Sequence, residues 1–350
     1  MRIVRFGAVS MSLAAAFLVL SCGKSEEPEV QPQYGMPKSQ KQEPKRKPTE
    51  MEKSTKIAFE STLSGGYDIW TINADGTDPM QLTRRSEHNR FPSWSPDGTK
   101  IVFVSNRLKR STFTIFIMNA DGSKPVKISD IPGWNGHPEW SPDGTRIAFD
   151  SSSPGNFEIM VMNADGSNPV NLTNHPSLDS SPSWSPDGTK IAFFSDRDGN
   201  EEIYVMNADG SGQVNLTNNR YADTSPAWSP DGTKIAFVST RDHVSSVNVE
   251  PPSKDEIGMG PEYLEKAMQS KRKHDVFAMN ADGSNPVNLT RYNNNDFKPT
   301  WAPDGSRIAF ISIRDGRRDI FSMNPDGTDI MRITDDDAMQ EYPDWGPKQK

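Results

Sequence analysis

The chain has 350 residues, 39 of them basic and 47 acidic, for a formal charge of −8, and it carries a single cysteine. One cysteine excludes a disulfide framework. The acidic balance argues against nucleic acid as a partner, since phosphates demand basic stripes.

Taken from the N-terminus, residues 1–21 hold Arg2 and Arg5 followed by a mainly apolar stretch from Ala8 to Leu20. That is a secretory signal, too short for a stable membrane span. With Ser21 directly before Cys22, its end resembles the lipobox of bacterial lipoproteins. The resemblance implies that Cys22 is lipidated; the alternative is an ordinary signal peptide with an incidental cysteine. Gly23 is not the aspartate associated with inner-membrane retention, so the same resemblance favours the outer membrane and a periplasmic protein.

Residues 22–54 are rich in Pro, Lys, Glu and Gln and poor in large apolar side chains, which reads as a disordered tether. Its coil span is on the order of 30 Å. Lys45-Arg46-Lys47 could touch anionic headgroups, although a charge run is more often simply solvated. The signal and tether together carry +3, which leaves −11 on the remainder of the −8 chain.

From residue 55 a repeat sets in. WSPDG begins at Trp94, Trp140, Trp184 and Trp228, WAPDG at Trp301 and a degraded WGP at Trp345. A second series, INADG from Ile72, MNADG from Met118, Met162, Met206 and Met279, and MNPDG from Met323, keeps the same steps of 46, 44, 44, 73 and 44 residues. Such a period marks one supersecondary unit stacked on its own copies. Within the unit from Pro182, an extended stretch to Trp184, KIAFFS, EIYVMN and Val214–Thr217 are separated by turn residues, which predicts a four-stranded antiparallel meander. The middle strands are apolar without clean alternation, as expected for sheets covered on both faces. The first unit lacks a WSPDG strand, and the chain finishes on one at Tyr342–Pro347. We therefore expect an all-β, six-bladed β-propeller over residues 55–347, with the C-terminal strand completing the N-terminal blade. Closure of this kind removes open sheet edges.

The 29 extra residues of the long step lie at about 243–274. Gly260-Pro261-Glu262 suits a helix start, Tyr263, Leu264, Ala267 and Met268 share a face, and Lys271, Arg272 and Lys273 suit a helix end. Such a helix would either dock on its own propeller or be offered to a partner.

The tandem P-x-WSPDG-(T/S)-(K/R)-IAF-x-S, D-I-x-x-MNADG and (N/Q)LT pattern resembles TolB-type propellers, and also the propellers of tricorn-type and prolyl-oligopeptidase-type peptidases. The resemblance implies a protein-binding scaffold of the cell envelope. No cofactor is expected from the sequence, a cation in the channel apart.

In the meander the WSPDG and NADG turns share one end and are uniform, while the opposite end carries variable loops. Variable loops on a rigid scaffold more often carry recognition. On that face we place Trp134, the insertion and all five histidines, His88, His137, His175, His243 and His274. Five residues before each repeat tryptophan stand Asn89, Asn135, Asp179, Asp223, Asp296 and Gln340, a polar ring expected at the channel mouth. One reading is an electronegative mouth for a cation or a basic segment of a partner. The other is an internal lattice in which these residues pair with Arg107, Arg197, Arg241 and Arg314 at matched positions.

No G-x-S-x-G, H-E-x-x-H or G-x-x-x-x-G-K occurs, so a non-catalytic, monomeric binding protein is the main expectation. The alternative is a hydrolase or lyase acting on carbohydrate or peptide with a metal on the loop face, for which His137 or His175 with Asp179 would be the candidates.

Overall fold

In the computed structural model the chain divides into residues 1–46 and 47–350. The structure describes residues 47–348, apart from 85–87, 109–111, 154, 244–272 and 292–293. The signal peptide, Cys22, Tyr263, Lys271, Arg272 and the expected helix of the insertion lie outside the described residues.

Six four-stranded antiparallel sheets follow one another. Blade one consists of Gln340–Trp345, Lys56–Ser61, Asp68–Asn73 and Met80–Gln81, in that order from the axis outward. The innermost strands of blades two to six are Asn89–Trp94, Asn135–Trp140, Asp179–Trp184, Asp223–Trp228 and Asn295–Trp301. The C-terminal strand closes the ring as expected, pairing Ile57 with Trp345, Ala58 with Asp344 and Ser61 with Gln340. Each outermost strand has only two residues, which leaves little open edge.

The repeat motifs build this fold through specific bonds. In the first WSPDG turn, Asp97 Oδ1 accepts from Ser95 Oγ at 2.6 Å and Thr99 N at 3.0 Å, while Lys100 N donates to Ser95 Oγ at 2.9 Å. The glycine of the NADG turn is required by its neighbour as well as by its positive φ. A Cβ on Gly166 would sit 1.6 Å from the carbonyl oxygen of Ile128 in the preceding blade. The threonine of (N/Q)LT ties the fourth strand to the acid opening the third: Thr83 Oγ1 donates to Asp68 Oδ1 at 2.6 Å and accepts from Ile69 N at 2.9 Å. Thr173 and Glu158 repeat the pair.

The core lies between blades. Ala58 and Ile69 of blade one pack with Trp94, Ile101, Phe103 and Phe116 of blade two. The phenylalanine of the corresponding strand in blades two to six (Phe103, Phe149, Phe193, Phe237, Phe310) is fully buried. Such side chains each contribute about 1.5–3 kcal/mol of burial free energy.

The tether ends earlier than the composition suggested. Helix α1 (Glu50–Ser54) starts at a capping box between Thr49 and Glu52, and it buries Glu52. Met51 packs on the cluster holding Ile57, Ile72 and Trp345, and Arg307 Nε of blade six lies 3.5 Å from Glu52 Oε1. Partners for an acid and a methionine order a segment whose composition alone could not.

Candidate functional site: a blind funnel along the axis

Each innermost strand carries a break in its ladder around the residue before its proline, as between Ser180 and Ser183 in blade four and between Phe297 and Thr300 in blade six. The residue at the break takes positive φ, from 44° at His137 to 54° at Ser225, and a proline follows it in every blade. The residue before proline is disfavoured in the right-handed helical region, and a non-glycine residue at positive φ costs about 1–3 kcal/mol. Repetition in all six blades shows that the blade geometry imposes it. The bulge turns Phe91, His137, Ser181, Ser225, Lys298 and Tyr342 into the bore.

Those six residues form the floor of a cavity of about 520 Å³ that opens on the WSPDG side. Its wall carries Glu139 and Asp344, and its rim the repeat tryptophans and the turn prolines. On the floor the Phe91 and Tyr342 rings meet edge to face at 4.4 Å, and the Phe91 and His137 rings lie 4.3 Å apart.

Burial governs the electrostatics of this site. It pushes the Glu139 carboxyl up to about 8 and that of Asp344 to about 7, against the hydrogen bonds each accepts. Glu139 accepts from Trp184 N at 2.9 Å and Asp344 from Trp94 N at 2.7 Å, so each acid seats the innermost strand of the following blade. Burial lowers the Lys298 ammonium to about 8, although Asp150 opposes it. It also lowers His137, whose Nδ1 lies 2.6 Å from Asp150 Oδ2.

The ring expected at an open loop-side mouth lies inside the protein. Asn89, Asn135, Asp179, Asp223, Asp296 and Gln340 are all fully buried. Arg197 Nη2 donates to Asp179 at 2.8 Å, Arg241 Nη2 to Asp223 at 2.8 Å and Arg107 Nη2 to Asn89 Oδ1 at 2.9 Å. Asn135 Nδ2 donates to the Phe113 carbonyl at 2.8 Å, and Gln340 Nε2 to Asp336 Oδ1 at 2.7 Å. Asp296 is raised to about 6 by burial, with Ser312, Thr290 and Arg314 opposing. Each stands at or next to the start of its innermost strand and is enclosed with its partners, so the expected mouth is an internal lattice.

Trp134 is half-buried, its ring 4.3 Å from that of Phe113, and Lys273 is half-buried. The histidines do not all share the loop face, because the bulge carries His137 into the bore. It meets Asp150 rather than Asp179. His175 Nδ1 accepts from Ser177 N at 3.2 Å, and among the described residues no group of three metal-ligating side chains forms. The funnel lies outside the residues that the loop-face expectation named, His137 apart. Its sequence signal is the residue before each strand proline, which reads Phe, His, Ser, Ser, Lys, Tyr where the flanking positions repeat.

Fold and site together define a closed six-bladed propeller with an axial funnel floored by the six bulge residues. The family model for the TolB beta propeller domain matches residues 55–249 and 260–350, and the chain belongs to that family. Among similar sequences, the Tol-Pal system protein TolB of Methylobacillus flagellatus is 37% identical over 57 residues, 16% of this chain and 13% of that protein. That of Legionella pneumophila is 39% identical over 67 residues, 18% of this chain and 16% of that protein. The matched stretches thus span less than a fifth of these relatives' length. Among solved structures, TolB from Acinetobacter baumannii superposes with a TM-score of 0.67 at 24% identity, over 85% of this chain and 68% of that one. An oligogalacturonate lyase in complex with manganese superposes with a TM-score of 0.52 at 13% identity, over 81% of this chain and 75% of that one. At these identities the superpositions show the fold.

Proposed function

We propose that this protein is a lipid-anchored binding propeller of the bacterial envelope, held through Cys22 at the outer membrane and contacting other envelope proteins from the periplasm. Membership of the TolB propeller family and the secretory character of residues 1–21 support this reading. The observation that carries it is the funnel: about 520 Å³ of space walled by prolines and tryptophans on six rigid strands. A preformed concave surface loses little entropy on binding, and the repeat tryptophans, largely buried between the blades, hold its wall in place. We therefore assign recognition to the WSPDG side rather than to the loop face, whose polar ring is buried; among the described residues of the expected loop-face set, Trp134 and Lys273 are half-buried.

Affinity capture with full-length protein from its native membrane tests this. Thr300→Trp, placed on the funnel wall, should reduce recovery of envelope partners at least about tenfold, equivalent to about 1.4 kcal/mol. Trp134→Ala should leave recovery unchanged. The reverse pattern would move recognition to the loop face. Recovery unaffected by either change would remove the propeller from partner binding.

A further inference from the structure

Lys298 spans the bore. It belongs to blade six, yet its ammonium donates to Ser181 Oγ of blade four at 3.0 Å and lies 3.4 Å from His137 Nε2 of blade three, across the ring. Asp150 sets the tautomer: with Nδ1–H of His137 directed at its carboxylate, Nε2 is left as the acceptor. The Tyr342 ring lies 5.0 Å from the ammonium. Among the described residues no carboxylate stands within the 4.0 Å of an ion pair with Lys298 Nζ.

The acids nearest to it are occupied elsewhere. Asp150 accepts from His137, from Ser180 Oγ at 2.5 Å and from Ser181 N at 3.1 Å. Glu60 accepts from Arg90 at 2.7 Å and from Phe91 N at 2.5 Å, and Glu341 accepts from Arg90 at 2.8 Å and from Arg318. A lysine enclosed by protein ordinarily has an anionic partner. This one faces an open cavity of about 520 Å³ instead.

Resting on the assignment of recognition to the funnel, we propose that its floor is a carboxylate subsite. The ammonium of Lys298 pairs there with one carboxylate of the entering ligand, beside the hydroxyls of Ser181 and Ser225. A monoanion fits better than a phosphate dianion. The floor offers one cation beside an imidazole whose protonation burial and the Lys298 ammonium disfavour, and Asp150, Glu60 and Glu341 stand behind it. Glu139 and Asp344 on the wall add a condition. Burial holds them near 8 and 7, so below neutral pH both are largely uncharged and do not repel an entering carboxylate. Above pH 8 both are anions.

The carboxylate could come from a small free acid or from an acidic side chain of a bound protein. Calorimetric titration of the full-length chain in detergent separates the two, using glutarate, a short extended peptide with one glutamate, and the same peptide with glutamine. At pH 6 we expect one saturable site, weakened at least about tenfold by Lys298→Met and again on raising the pH to 8.5. Thr300→Trp, which leaves the lysine in place, should abolish it. Tighter binding of the glutamate peptide than of glutarate assigns the source to a protein; the opposite order assigns it to a small acid. Lack of saturable binding by all three probes overturns the subsite, as does a Lys298→Met protein that keeps its melting transition and binds like wild type. If Lys298→Met loses carboxylate binding but captures envelope partners normally, the subsite stands and the partner reading does not depend on it. If Thr300→Trp leaves partner capture intact while abolishing carboxylate binding, partner recognition in the funnel fails and the subsite survives.

Discussion

Arg90 Nη2 donates to Glu341 Oε2 at 2.8 Å, so the innermost strand of blade two is ion-paired to the C-terminal strand, 251 residues away. The same guanidinium reaches Glu60 Oε2 at 2.7 Å and covers the Tyr67 ring at 4.1 Å, while Arg318 of blade six takes the other oxygen of Glu341. A buried chain of alternating charge thereby links blades six, one and two where the ring closes. Burial pushes Glu60 up to about 7 even with Arg90 beside it. Removing the arginine would leave two carboxylates facing each other in the interior. We expect Arg90→Met to cost about 3–5 kcal/mol in urea denaturation. An unchanged midpoint would mean that closure rests on the strand ladder alone.

Asp179 and Asp223 give the second prediction. Each is fully buried and holds one arginine, Arg197 or Arg241, at 2.8 Å. Asp179→Asn and Asp223→Asn should each lower stability by about 1–3 kcal/mol, the cost of disturbing a buried charge-assisted bond. A melting temperature that barely moves while partner capture falls would return the ring to recognition.

The third prediction concerns pH. Glu139 rises from 4.5 to about 8, Asp344 from 3.8 to about 7, Glu60 from 4.5 to about 7 and Asp296 from 3.8 to about 6. A raised acid binds its proton more tightly in the folded state. Its contribution is complete below the unfolded value and is lost as pH rises through the folded one. Lys298, lowered from 10.5 to about 8, acts in the opposite sense above pH 8. Below pH 4 the exposed turn acids, such as Asp143 at about 2, lose their bonds to hydroxyls and amides. Thermal melts should therefore be highest near pH 5 and decline toward pH 8. Glu139→Gln should flatten the decline, and a pH-independent melting temperature between 5 and 8 would contradict it.

The architecture was legible because its signals are short-range and repeated. WSPDG and NADG fix turns through Ser, Asp and Gly, the apolar runs fix strands, and Tyr342–Pro347 announces the closing strand. The buried lattice was half legible: the matched arginines were visible, but the depth of Asp179 depends on loops whose packing no local pattern encodes. The funnel left only the variable residue before each strand proline as its mark, because the bulge before Pro182 reverses which side chains face the axis. A two-residue alternation read along Asp179–Trp184 points the wrong residues inward. Thr49 and Glu52 carry the S/T-x-x-E capping signature within a stretch whose overall composition reads as disordered, and Arg307, which holds the helix down, lies far along the chain.

Ring closure supplies the last prediction. Trp345 donates its indole N–H to Thr55 Oγ1 at 3.0 Å, and Gly346 N donates to the Lys56 carbonyl at 2.8 Å, so the final strand is tied to the point where the chain enters blade one. Deleting residues 341–350 removes Glu341 from the charge chain, Tyr342 from the funnel floor and Trp345 from its cluster. Loss of a buried tryptophan alone typically costs about 3–5 kcal/mol, and the strand Lys56–Ser61 would be left with an unpaired edge that invites association. The truncated protein should melt well below the full chain and aggregate on refolding, by calorimetry and light scattering. Melting within about two degrees of wild type, when each kcal/mol should shift a protein of this size by about 2–4 degrees, would show that the first three strands of blade one hold the ring without their C-terminal partner.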